Sequence, residues 1–311
     1  MSGWFVPAAS SSGIEVDHLF WALLAISTAV MALVFGLMAL YVVRYRAGSP
    51  IDRGSLAEKS WVFEIAWTSA TLLVFLGLFV WGADLYVRLY QPPGGALKLN
   101  VVGKQWMWKI EHPAGQREIN ALHIPVDTPI ELIMTSEDVI HDFAIPAFRV
   151  KHDVLPGRYE TLWFQATRTG DFHLFCTQFC GTDHAAMIGE VDVMTQPDYQ
   201  HWLDAEAPAE TLAAAGAELF RRYGCSGCHE GGSTAKAPVL DGLYGSPVPL
   251  EDGRMVTADD RYLRDAIIQP DGERVAGFAP LMPSYAGQIG EEDLFELIAY
   301  LKSRAPAKEQ P

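Results

Sequence analysis

Two long apolar stretches dominate the first third of the chain. Leu19 to Val43 is 25 residues without a charge, and Ile65 to Ala83 is another 19. At 1.5 Å per residue, about 20 apolar residues cross a bilayer core, so both runs predict transmembrane helices, spanning about 19–43 and 64–84. Buried helices of a soluble core would show a polar face, and neither run has one. A signal peptide is disfavoured too: the first run is long for one, and residues 1–18 carry no Lys or Arg. After about residue 84 the pattern shortens. Leu97–Val102, Trp106–Ile110, His123–Val126, Ile130–Met134 and Thr161–Phe164 are strand-like runs separated by turn signals at Pro113-Ala-Gly, Pro156-Gly and Thr169-Gly-Asp. They predict an all-β sandwich or small barrel over 85–194. Residues 195–210, with Gln, Pro, Asp and Ala-Pro-Ala, read as a linker. The period then becomes helical. Gly216, Leu219/Phe220 and Tyr223 share one side of a first helix, and Leu294, Ile298 and Leu301 form a stripe on a last one, Glu291–Ser303. An all-α domain is expected over 211–306, with a short tail at 307–311.

Charge orients this plan. The segment between the spans holds Arg44, Arg46, Arg53 and Lys59 against Asp52 and Glu58. By the positive-inside rule it is cytoplasmic, so both termini and everything after the second span lie outside the cytoplasm. Residues 1–100 carry six acids and six bases, whereas 101–210 carry 17 acids and 7 bases and 211–311 carry 15 and 10. The net charge of −15 therefore sits on the outer domains. It argues against nucleic acid and leaves a cationic partner or plain solubility as its use.

Four cysteines supply the candidate chemistry. Cys176 and Cys180 fall in a run with His184 and Met187, a set of soft and borderline donors that suits copper better than magnesium or calcium. Thiolates can bridge, so one or two metals would fit the spacing. The run lies between the last two strand-like segments, and a further strong ligand must come from elsewhere. His141 is the best candidate, following the apparent strand end Ser136–Ile140; His112, His123, His152 and His173 compete on composition and read as surface or structural residues. Cys225 and Cys228 belong to Cys225-Ser-Gly-Cys228-His229, the C-x-x-C-H signature of covalent c-type haem with His229 as proximal ligand. A disulfide-stapled exported domain or a zinc ribbon would use the same cysteines, but each pair has its own histidine. If both motifs are used, no cysteine remains for a structural disulfide.

Ser136-Glu-Asp-Val-Ile-His141-Asp-Phe-Ala-Ile-Pro-Ala-Phe, Lys151-His-Asp-Val-Leu-Pro-Gly-Arg158 and the run from Cys176 to Met187 resemble subunit II of haem–copper cytochrome c oxidase. Gln105-Trp106-Met-Trp108 and Glu64-Ile-Ala-Trp67-Thr68 are similar to further motifs of that family. The C-terminal part is similar to the cytochrome c domain fused to subunit II in caa-type oxidases. The resemblance implies a two-helix membrane hairpin, a cupredoxin-like Greek-key domain and a class I cytochrome c domain. It implies the binuclear CuA centre, with Cys176 and Cys180 bridging, His141 and His184 terminal, and Met187 and the Gln178 carbonyl as weak ligands. It implies Trp106 as the electron-entry residue, where the residues alone read as a sandwich core aromatic. Glu64 would lie at a proton-pathway mouth. Met282, in the loop before the last helix, would be the second axial haem ligand, with Met255 the other thioether in reach of the sequence argument. Pro238 resembles the proline beside the proximal histidine.

The implied function is the electron-entry subunit of an oxidase of the bacterial cytoplasmic membrane. It would take electrons from a soluble cytochrome or a membrane-bound donor and pass them through haem c and CuA to subunit I, with subunit III alongside. Oxygen reduction coupled to proton translocation would belong to the complex, and no catalytic residue is expected in this chain. Three departures stand out. Gln178 replaces a glutamate that helps bind magnesium in many members, and a neutral amide is the poorer ligand. Lys104 stands where a histidine often precedes Gln-Trp, and Thr71 where a proline is common. A CuA-containing subunit of a nitric oxide or nitrous oxide reductase, and a copper-delivery protein, are the other readings. The first differs in its partner subunit; the second would lack the second histidine, the methionine and the haem motif.

Overall fold

The computed structural model describes residues 6–51, 61–208, 211–230 and 237–305. The apolar stretches form α1 (Ser11–Arg44) and α2 (Trp61–Leu89), with side chains exposed around nearly the whole circumference, as lipid-facing helices require. α1 begins at Ser11, well before the expected Leu19, so the N-terminal segment is not a separate unit. The reason is local. Ser10 accepts the Gly13 N–H as N-cap while its hydroxyl donates to the Phe148 carbonyl at 2.7 Å, and Ala9 exchanges backbone bonds with Ala147 and Thr167. The helix start is thereby fastened to the β domain. Arg88 pairs with Glu15 at 2.6 Å, and the Trp163 indole donates to the Arg88 carbonyl, closing the junction from the other helix. Of the segment between the helices, Asp52, Arg53, Glu58 and Lys59 lie outside the described residues.

Ten strands among the described residues follow: β1 (Leu97–Lys104), β2 (Met107–Glu111), β3 (Arg117–Ile119), β4 (Ala121–Pro125), β5 (Pro129–Ser136), β6 (His141–Ile145), β7 (Val150–Val154), β8 (Glu160–Gln165), β9 (Gly170–Cys176) and β10 (Ile188–Met194). They make two five-stranded sheets, β3-β2-β1-β5-β8 and β4-β10-β9-β6-β7, with β1–β5 and β4–β10 parallel and the other pairs antiparallel. Alternate residues turn inward, and Leu99, Val101, Trp108, Ile110, Leu132, Phe143, Phe148 and Phe164 close a dry core. The charged β3 and the Lys-His-Asp interior of β7 carry no apolar alternation, which is why neither was expected. His141 opens β6; it does not trail the strand before it.

The sheet containing β1 and β5 departs from simple alternation. Val102 and Ile133 point away from the sandwich core, yet only 2% and 4% of their surface is exposed. Strands buried on both faces read as continuous apolar runs, and Val101-Val102 and Leu132-Ile133-Met134 are such runs.

The expected linker is largely a helix, α3 (Gln196–Ala205). Thr195 caps it by accepting the Asp198 N–H, and Pro197 sits in its first turn, where a missing N–H costs nothing. The composition that reads as a linker is also that of a capped helix start.

The C-terminal unit contains α4 (Leu212–Arg222), the single turn α5 (Ser226–His229), a small antiparallel pair β11 (Pro247–Pro249) and β12 (Met255–Thr257), α6 (Asp260–Ile268) and α7 (Glu291–Ser303). The pair of short strands is an addition to the helical plan. α4 crosses α7 at Gly216, where a Cβ would come 1.9 Å from the Glu296 carbonyl oxygen. Only glycine permits that approach. Leu294, Ile298 and Leu301 are buried along α7, as their stripe predicts.

Candidate metal centre and cofactor cleft

Strand pairing builds the first site. β6 lies against β9 with Phe143 opposite Cys176, so His141 at the start of β6 stands beside Cys176 at the end of β9. The loop 177–187 then returns Cys180, His184 and Met187 to the same point. Cys176 Sγ is 3.7 Å from Cys180 Sγ and 3.9 Å from His141 Nδ1. Cys180 Sγ is 3.4 Å from His184 Nδ1 and 3.8 Å from Met187 Sδ. The Gln178 carbonyl oxygen lies 3.2 Å from Cys176 Sγ, while its side chain is exposed. His141, Cys176, Cys180 and Met187 are buried, and His184 is half-buried.

The surroundings hold these donors in place. His141 Nε2 meets Asp138 Oδ1 at 2.9 Å, and that carboxylate also accepts the Gln105 and Val139 N–H groups. Its partner fixes Nε2 and leaves Nδ1 toward the thiols. Gly103 backs the ring: a Cβ there would approach His141 Cδ2 to 3.0 Å. Burial opposes ionisation of Cys176, but the His141 contact, followed by the Asp142 and Gln178 backbone, brings it down to about 7. Burial, together with the neighbouring Cys176, pushes Cys180 up to about 12. The pair therefore gives up one proton readily and the second reluctantly, and a bound cation supplies the charge that favours losing both. Two thiols, two imidazoles, a thioether and a carbonyl in one dry spot fit a soft metal, copper above all.

Trp106 occupies the β1–β2 turn, half-buried against the sandwich core. Its neighbour Gln105 donates from Nε2 to the Cys180 carbonyl at 2.7 Å, which ties this turn to the metal loop. Glu64 stands exposed in the first turn of α2 and is brought to neither site.

The second site is a cleft of about 380 Å³ in the C-terminal unit. Cys225, Cys228, His229 and Met282 lie on its wall, with Phe220, Leu240, Tyr262, Leu297 and Leu301 among the apolar residues that complete it. His229 Nδ1 is 3.0 Å from the Pro238 carbonyl, which commits that ring N–H and leaves Nε2 as the ligating nitrogen. Both cysteines are unpaired by disulfide. The mostly apolar cleft with a histidine and a methionine on its walls and two thiols at its edge fits a covalently held porphyrin. Met255 is in β12, 62% exposed, and is not on the wall.

Two of the histidines that read as structural meet in a cluster with no sequence signal. His112 is fully buried, with Nε2 2.7 Å from Glu118 Oε1 and Nδ1 3.0 Å from the Tyr199 hydroxyl. His123 pairs with the other Glu118 oxygen and stacks on Trp202 at 4.7 Å. Tyr199 and Trp202 come from α3, so the cluster clasps that helix to the sandwich.

Residues 116–194 match the family model described as cytochrome c oxidase subunit II, periplasmic domain, and residues 213–305 match the cytochrome c model. The chain thus carries a cytochrome c oxidase subunit II periplasmic domain followed by a cytochrome c domain. Cytochrome c oxidase subunit 2 of Alkalihalophilus pseudofirmus is 28% identical over 301 residues, covering 89% of this chain and 85% of its own length. The probable cytochrome c oxidase subunit 2 of Rickettsia prowazekii is 28% identical over 221 residues, 64% of this chain and 70% of its own. A solved structure of the periplasmic domain of subunit II of cytochrome oxidase from Bradyrhizobium japonicum is 32% identical, with a TM-score of 0.36, over 37% of this chain and 96% of that domain. These relatives are subunits of an oxidoreductase complex, the β domain matches one described as periplasmic, and α1 and α2 ahead of it are long and apolar enough to cross a membrane. Copper and haem c are the cofactors the two matches imply.

Proposed function

We propose that this chain is the electron-entry subunit of a terminal cytochrome c oxidase in a bacterial cytoplasmic membrane, with both termini outside. It accepts electrons from an external donor, a soluble cytochrome or a membrane-bound complex, and delivers them to subunit I, with subunit III alongside. The observation that carries the reading is the convergence of His141, Cys176, Gln178, Cys180, His184 and Met187 in one chain with the Cys225/Cys228/His229/Met282 cleft. Cys176, Cys180, His141 and His184 would be the strong ligands that hold the two coppers of a CuA centre, with Met187 and the Gln178 carbonyl as the weaker ones. Cys225 and Cys228 would hold haem c covalently, and His229 and Met282 would hold its iron. When bound, the two groups supply one-electron storage that needs little rearrangement between redox states.

The protein's part is to exclude water and hold donors still. Cys176 and His141 lie on paired strands, so the sheet hydrogen bonds set their spacing. Asp138 aims His141, and Gln105 holds the loop by the Cys180 carbonyl. Trp106 is the aromatic over this loop through which electrons would enter. Glu64, at the start of α2, would stand at the mouth of a proton pathway, and proton translocation is a property of the complex. Gln178 presents an exposed amide where magnesium would want a carboxylate, so no magnesium is assigned to this chain.

Metal analysis of the purified, loaded chain tests the reading. Two coppers per iron are expected, and one copper per iron would overturn the dinuclear site. The assembled complex should consume oxygen with a reduced cytochrome as donor; consumption of nitric oxide in its place would move the chain to a reductase.

A further inference from the structure

The outer face of the β1–β5–β8 sheet is covered by this chain's own C-terminal unit. Val102 and Ile133 from the sheet, and Tyr159 just before β8, join the C-terminal core cluster. Phe295 of α7 stacks on Tyr159 at 4.9 Å and 14°. Arg264 of α6 lies 5.4 Å from the centre of the same ring and donates to the Gly157 carbonyl at 2.7 Å. Lys109 of β2 bridges Glu137 of the sandwich and Glu292 of α7, at 3.1 and 2.7 Å.

One charge is shared across the rim. Arg117 of β3 donates from Nε to Glu111 Oε1 at 3.0 Å and from Nη2 to Glu296 of α7. Both glutamates are largely buried, at 7% and 8% exposure. The other polar groups facing them are Asn100 on Glu111, and Asp293 and Glu292 beside Glu296. Burial pushes both carboxyls above the ordinary range, against the pull of Arg117. Without that guanidinium, two carboxylates from two domains would face each other with no cation between them.

We infer that the haem-binding domain is a fixed partner of the sandwich's outer sheet, not a free domain on a tether, and that Arg117 is the clamp whose single positive charge makes the two buried glutamates compatible. The apolar centre of the contact supplies attraction, and Arg117 removes the repulsion that would otherwise open it. The apolar runs in β1 and β5 are the sequence trace of this permanent cover. The inference does not depend on what fills either site.

Zero-length carbodiimide coupling of the full chain in detergent, read by peptide mass spectrometry, tests it. Coupling between Lys109 and Glu292 reports docking. Coupling between Lys104 and Glu137, 2.7 Å apart within the sandwich, serves as the internal reference and shows that the sandwich is folded. The wild-type chain should give both products in comparable yield at neutral pH; a missing Lys109–Glu292 product would overturn the fixed contact. Arg117→Ala should lower the ratio about tenfold, the effect of losing a partly buried partner between like charges. Arg117→Lys should keep it within about twofold, since the charge remains. Arg117→Ala combined with Glu296→Gln should restore it, because one of the two like charges is gone. An unchanged ratio in Arg117→Ala, or no restoration in the double variant, would overturn Arg117 as the clamp.

Discussion

The two sites are built in opposite ways. The donors of the metal centre hang on a packed sandwich whose Trp108, Phe143, Phe148 and Phe164 are buried by other side chains. The donors of the cleft surround a hollow of about 380 Å³, and Leu297 and Leu301 of α7 line it on one side while α4 packs on the same helix. A metal added to the first site would take up two ligands that paired strands have placed, His141 and Cys176, and the others from the loop between β9 and β10. A haem added to the second completes the core of its domain. One scaffold precedes its cofactor, and the other is finished by it.

The largest effect expected from this contrast is on folding. Cys225→Ala/Cys228→Ala should remove the covalent hold on a haem and with it the apolar contacts a haem would make along the cleft wall, a loss on the order of 5 kcal/mol, comparable with a small domain's whole stability. Limited proteolysis should cut within 212–305 and leave the 97–194 sandwich intact. A resistant C-terminal domain in that variant would break the comparison. Next comes Gly216→Ala. Its Cβ would lie 1.9 Å from the Glu296 carbonyl, so α4 and α7 must separate, at roughly 3 kcal/mol. Calorimetry should show the C-terminal transition falling while the sandwich transition stays.

The same contrast explains what could be read from the chain alone. The spans, the strand-like runs of β1, β2, β4, β5 and β8 with the turn signals between them, and both cysteine motifs are local patterns, each written within a dozen or two residues. α3 escaped because Thr195, Pro197 and Asp198 begin a helix with the residue types that also make linkers. The His112–Glu118–His123 cluster escaped because its partners Tyr199 and Trp202 arrive from 76 or more residues away, with no spacing rule to announce them. Val102 and Ile133 did leave a trace, since an apolar residue on the wrong phase of a strand needs a cover. What covers it is tertiary information, and the strand pattern cannot name α7.

A smaller effect comes from the clasp on α3. Burial alone would raise Glu118, but hydrogen bonds from His112 and His123 and the His123 amide bring it down to about 2 from 4.5. The stability it contributes is present above 4.5 and lost as pH falls toward about 2. His123 is raised above 6.5, chiefly by its bond to Glu118, so its contribution is present below 6.5 and lost as pH rises through its folded value. The sandwich should therefore melt highest between about pH 4.5 and 6.5. Glu118→Gln should cost about 2 kcal/mol inside that window and flatten both limbs of the profile. A profile unchanged by Glu118→Gln would show that the clasp does not stabilise the sandwich, and would leave the metal site's scaffold independent of α3.

The smallest effects separate packing from ligation. Met187 is fully buried in the sandwich, while Met282 is 36% exposed on the wall of the cleft. Methionine and leucine are nearly equal in volume, so Met187→Leu should shift the melting of the metal-free sandwich by less than ~1.5 kcal/mol. The thioether is what changes. With copper bound, the same variant should alter the charge-transfer absorption while keeping the metal content, because Met187 would be a weak ligand beside two thiolates and two imidazoles. Met282→Leu should leave the sandwich melt untouched and lower the haem reduction potential, since methionine ligation holds that potential high. Redox titration checks it directly. An unchanged potential would remove Met282 from the iron, and the cleft would then be finished by its haem from one side only.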